Sequence, residues 1–64
     1  MAQIYLVNQT VWDVAGYRLK RGDTIELLDR DAKQHTVKIK NSYFKTPLWV
    51  NEEDFETHCI SFYD

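Results

Sequence analysis

The sequence predicts an all-β fold, a small barrel of five short strands with one helical turn before the last. Three observations carry this. Apolar and polar residues alternate with period two in short runs rich in β-branched and aromatic side chains. Polar stretches separate these runs. The chain is also only 64 residues long, and a sheet that small cannot protect open edges, which closure removes. The competing arrangement is an open α+β sheet in which residues 51–58 form two full helical turns.

The elements follow in order. Near 3–8, Ile4 and Leu6 share one face of a first strand, with Tyr5 and Val7 on the other. Residues 8–18 show no clean period and read as an irregular segment. Arg21-Gly22-Asp23 marks a turn, where glycine supplies backbone freedom, and a second strand near 24–29 aligns Ile25 with Leu27. The polar run 29–34 reads as a hairpin connection. From His35 to Asn41 the alternation is clearest, with Val37 and Ile39 inward and Thr36, Lys38 and Lys40 outward, as in an antiparallel sheet with one wet face. A second hairpin is expected around 41–46. Pro47 then opens a strand in which Leu48 and Val50 alternate with Trp49, a position that tolerates its missing N–H. Asn51 followed by Glu52, Glu53 and Asp54 is a capped helix start with acids where the helix dipole favours them. From Thr57 the pattern alternates again, His58, Ile60 and Phe62 against Cys59, Ser61 and Tyr63.

Two patches resemble SH3 and bacterial SH3-like domains. Leu19-Lys20-Arg21-Gly22-Asp23-Thr24-Ile25-Glu26-Leu27-Leu28 is similar to the Leu-x-x-Gly-Asp-x-Ile-x-Val-Leu stretch in which a diverging turn feeds the second strand. Trp49-Val50, with a short turn and Phe55 after it, resembles the Trp-Val and one-turn helix that precede the last strand in the bacterial type. The resemblance spans 19–60. It implies that 8–18 is the long first loop and 29–34 the loop between the second and third strands. It does not extend to the groove for proline-rich ligands, which needs a Trp at the start of the third strand and a Pro-x-x-Tyr in the helical turn. This chain has His35-Thr36-Val37 and Asn51-Glu52-Glu53-Asp54-Phe55 there.

Size and composition exclude several function classes. A chain this short buries only roughly 60% of its unfolded surface, which leaves little room for a deep catalytic cavity. The single cysteine, Cys59, cannot close an intramolecular disulfide. Met1-Ala2-Gln3-Ile4 lacks the basic and apolar runs of a secretory signal, and no stretch is long and apolar enough to span a membrane. A single domain over 1–64 in a reducing, cytoplasmic setting is expected. No Cys-x-x-Cys or His-x-x-x-His pair suggests a metal, and no cofactor motif occurs. His58 and Cys59 are strand neighbours pointing to opposite faces, so they form no dyad. With no phosphate loop, nucleophile elbow or carboxylate pair, the chain reads as a non-enzyme.

Charge is uneven along the sequence. All eight Lys and Arg fall between Arg18 and Lys45 with four acids among them, whereas 46–64 carry five acids and no base. Lys38 and Lys40 on one strand face, Lys45 beyond the hairpin and Arg18, Lys20 and Arg21 before it make nucleic acid the alternative partner. The net charge of −2 is low for that role. Nine aromatics exceed what so small a core should enclose. Phe55, Phe62 and one face of Trp49 are expected inside. Trp12, Tyr17, Tyr43 and Phe44 fall in expected loops and, with Trp49, form the expected protein-binding surface, centred on Thr10–Tyr17. The alternative for these aromatics is to fold back and cap the barrel. The expected function is binding and modulating a larger protein partner, as an accessory or inhibitor protein of a phage or mobile element would; self-association is a third reading.

Overall fold

Seven strands and one helix follow one another along residues 3–62, the part of the chain that the structure, a computed structural model, describes. They are β1 (Gln3–Val7), β2 (Val11–Val14), β3 (Tyr17–Lys20), β4 (Thr24–Asp31), β5 (Thr36–Lys40), β6 (Leu48–Asn51), α1 (Glu52–His58) and β7 (Cys59–Ser61). Five strands form one antiparallel sheet in the order β6-β5-β4-β1-β7, and β2 pairs with β3 alone. The fold is therefore mostly β, as the alternation implies. Tyr63, expected on the Cys59 face of the last strand, lies outside the described residues.

The period-two pattern decides which face is buried. Val37 and Ile39 of β5, Ile25 and Leu27 of β4 and Val7 of β1 point to one side and form the core with Leu19 of β3 and Phe55 of α1. In β4 the alternation breaks once. Leu27 lies opposite Ile39 but Asp29 lies opposite Lys38, so Leu28 is the extra residue of a β-bulge, an insertion that bends a strand. Past the bulge Arg30 stands opposite Val37 on the core side, and its Nη1 donates to Glu52 Oε2 at the start of α1.

The irregular first segment expected at 8–18 is instead the β2–β3 hairpin. Its two-residue tip, Ala15-Gly16, has φ of 49° and 84°, both positive as a type I′ turn requires. The expected turn at 21–23 is present. Gly22 has φ 97°, Asp23 Oδ2 accepts from Lys20 N at 2.9 Å, and Gly22 N donates to Val7 O at 3.0 Å. The turn is thereby fixed to the end of β1.

The single helical turn expected after Asn51 is a seven-residue helix, close to two turns. Asn51 Oδ1 accepts from the N–H groups of Glu53 and Asp54 at 2.8 and 3.2 Å, and Glu52 N donates to His35 O at 2.8 Å. Three of the orphan donors at the helix start are thus satisfied. Phe55 anchors the helix, with the Tyr5 ring edge-on at 4.8 Å. Among the described residues no helix is long and apolar enough to cross a membrane.

Candidate interaction surface

The eight aromatics among the described residues divide into buried, half-buried and exposed. Trp12 and Phe44, expected at the contact surface, are core residues at 4% and 8% exposure. The reason for Trp12 is hairpin geometry: β2 alternates, and Trp12 and Val14 share the inward side while Val11 and Asp13 face out. The Trp12 indole stacks on the His58 imidazole with centroids 5.2 Å apart. Phe44 packs against Tyr17, itself half-buried, at 4.8 Å. Two of the five expected contact aromatics remain well exposed, Tyr43 at 56% and Trp49 at 50%. Phe62, expected in the core, is 51% exposed. The face of the last strand that is buried is the one carrying Cys59, so Ile60 and Phe62, which alternation places together, face away from the core.

Cross-strand register lays out that outer face. Trp49 stands opposite Lys38, and Lys38 opposite Asp29. Next comes Lys40 opposite Glu26, and Glu26 opposite Ile4. Leu6 stands between Thr24 and Ile60. The face is polar across β4 and β5, carries Trp49 at the β6 edge, and turns apolar with Ile4, Leu6 and Ile60 at the β7 end. Phe62 N donates to Ile4 O at 2.9 Å, continuing this apolar strip. Leu28, Ile60 and Val11, all more than 40% exposed, were not foreseen as surface residues. Leu28 follows the inward Leu27 and faces out by alternation; the bulge changes the side only from Asp29 onward.

The basic residues are less concentrated in space than in sequence. Arg18 Nε donates to Asp13 Oδ1 at 2.9 Å, and this carboxylate raises the guanidinium pKa further. Lys38 and Lys40 each face an acid on β4. Arg18 and Lys20 lie on the β2–β3 hairpin and Arg21 in the turn after it, outside the five-stranded sheet that carries Lys38 and Lys40. Lys45 lies in the exposed loop between β5 and β6. That hairpin is distinctive: residues 36–51 hold three lysines and no acid.

His35 is held at φ 55° and lines, with Asn51, Glu52, Glu53, Glu56 and Thr57, a shallow concavity of about 610 Å³. His58 Nδ1 lies 2.7 Å from Asp54 O. A carbonyl only accepts, so Nδ1 carries the proton. Cys59 is buried, and burial pushes its thiol up to about 12. Among the described residues no three His, Cys, Asp or Glu side chains come together as metal ligands. The chain matches no family model, no curated protein and no solved structure.

Proposed function

We propose that this chain is a small, non-enzymatic protein-interaction module, an SH3-like barrel that binds and modulates a larger protein partner through its exposed rings, Trp49 of β6 and Tyr43 of the β5–β6 loop. The observation that carries the reading is the half-exposed Trp49, set opposite Lys38 on an edge strand. A large ring kept partly in water on so small a domain is a cost to the free protein. Rigid aromatics of this kind anchor protein interfaces because they bring much area at little entropy cost.

The barrel reading is supported by the order of elements: a long hairpin after the first strand, a glycine turn into β4, a short hairpin, and a helix before the last strand. The glycine turn into β4 and a helix before the last strand are connections that the resemblance to SH3-like domains implies; the β2–β3 hairpin stands where it implies a long first loop. The bulge at Leu28 supplies the bend that a sheet needs to curl toward closure. A cytoplasmic setting fits the single, buried, high-pKa Cys59, and an accessory or inhibitor role of the phage or mobile-element kind fits the small size.

Nucleic acid is the second reading, favoured by the acid-free stretch 36–51. The acids opposite Lys38 and Lys40 interrupt a phosphate track, which makes a protein the preferred partner.

Affinity capture from the native host's extract, wild type beside the double variant Trp49→Ala/Tyr43→Ala, tests the proposal. Recovery of the wild-type partner should fall at least about tenfold in the variant. Equal recovery by both would remove these rings from the interface.

A further inference from the structure

Among the described residues β6 bonds to β5 and to no other strand, and its register fixes where its amides point. Thr36 lies opposite Asn51 and, one step on, His35 O accepts from Glu52 N. Directly opposed residues in an antiparallel ladder alternate between bonded and non-bonded pairs. Glu52, Val50 and Leu48 therefore turn toward β5, while the N–H groups of Trp49 and Asn51 and the Trp49 C=O point outward. In a trans peptide the C=O points opposite to the next N–H, so the Pro47 carbonyl, ahead of the inward Leu48 N–H, also points outward. The Asn51 carbonyl is committed elsewhere: Asn51 caps α1, and a cap carbonyl accepts the first bond of its helix.

These groups match an antiparallel second copy whose two-fold axis passes beside Trp49. Trp49 of each copy then exchanges both backbone bonds with Trp49 of the other, and Asn51 N of each donates to Pro47 O of the other. Pro47 has no N–H to leave unpaired, and the opposing Asn51 carbonyl needs no donor. On the core side Leu48 lies opposite Val50 of the second copy; both pack on the core yet stay part-buried in one copy. On the outer face the two half-exposed indoles form a cross-strand aromatic pair. Charge obeys the same axis. Lys45 is in the loop before β6, and Glu52, Glu53 and Asp54 form the first turn of α1 after it, so the edge is basic at one end and acidic at the other. Lys45 and Glu53 stand four residues to either side of Trp49, and antiparallel pairing about Trp49 brings the Lys45 end of each copy to the Glu53 end of the other. The opposite edge of the sheet, β7, has only three residues, and its Cys59 N–H is donated to Phe55 O.

We propose that the chain forms a homodimer by antiparallel pairing of β6 with β6 of a second copy about Trp49. This goes beyond the partner-binding reading above and does not rest on it; dimer and partner complex exclude each other at the Trp49 ring. One four-residue strand from each copy gives a contact well below the about 1,200–2,000 Å² of a stable interface, so the dimer belongs to concentrated solution and the monomer prevails below about 10 µM.

Sedimentation and amide exchange on the full chain, from about 10 µM to about 1 mM, test this. The mass should rise from monomer toward dimer, and exchange at Trp49 and Asn51 should slow by about threefold or more while Val50 stays unchanged. Lys45→Glu and Glu53→Lys, both at exposed positions, should each weaken the dimer by about fivefold or more, because like charges then meet across the axis. An equimolar mixture of the two variants restores both opposite-charge contacts and should associate at least as tightly as wild type. A monomer at about 1 mM would overturn the proposal. So would a dimer whose new protection falls at Ser61, or equal association of the two variants alone and mixed. None of these results bears on the partner-binding reading, which capture at dilute concentration decides.

Discussion

The Trp12 indole and the His58 imidazole lie face to face, planes within 8° of parallel and centroids 5.2 Å apart. Among the described residues the β2–β3 hairpin pairs with no strand of the main sheet; backbone bonds hold its base, Asn8 N to His58 O and Gly22 N to Val7 O, and side-chain packing attaches the rest. This stack is one such attachment, joining the hairpin to the last turn of α1. His58 is itself oriented by its Nδ1–H donated to Asp54 O.

Removing that ring should loosen the hairpin without dissolving the core. His58→Ala is expected to cost about 1 kcal/mol, from the lost stack and hydrogen bond, seen as a Tm lower by about 4–8 °C. Trp12→Ala, which empties a core position, should cost about 3–5 kcal/mol, enough to unfold most of a domain this small. Thermal melts followed by circular dichroism decide both, and an unchanged Tm for His58→Ala would deny the stack a structural role.

The hairpin tip offers a stabilising change. Ala15 sits at φ 49°, a conformation that costs an L-residue about 1–2 kcal/mol and that Gly or Asn adopts readily. Ala15→Asn and Ala15→Gly should each raise stability by about 0.5–1 kcal/mol in denaturant titrations. A loss of stability in both variants would mean that the tip does not form this turn.

Cys59 should be silent in the folded protein. Burial raises its thiol to about 12, so the native chain holds this proton while the unfolded chain releases it near about 8.5. The stabilisation associated with the neutral thiol is therefore complete below that value and is lost as pH rises toward 12. The stability difference between wild type and Cys59→Ala should shrink across this range. A thiol reagent at pH 8 should label Cys59 only after denaturant is added, and rapid labelling of the native protein would contradict the burial.

Much of the sheet was legible because period-two alternation is a direct consequence of strand geometry. Val37, Ile39, Ile25 and Leu27 are buried where the alternation put them. The β2–β3 hairpin was hidden by its turn chemistry, since Ala15-Gly16 lacks the Asn-Gly or Asp-Gly signature of a type I′ tip. Missing the hairpin made Trp12 look like a loop aromatic, although in a strand beside Val14 its position faces the core. Alternation groups Phe62 with Ile60 but does not say which face of the last strand is inward, and the inward face is the one carrying Cys59. Trp49 and Tyr43 are exposed, but single-sequence periodicity could say only that Trp49 opposes Leu48 and Val50, not what lies against it.

The division between an inward Trp12 and an outward Trp49 underlies the functional proposal, and iodide quenching of single-tryptophan variants measures it directly. Trp12→Phe leaves Trp49 as the reporter; its emission should be red-shifted and strongly quenched. Trp49→Phe leaves Trp12, whose emission should be blue-shifted and nearly unquenched until denaturant is added. A protected Trp49 or a freely quenched Trp12 in the native state would contradict the account.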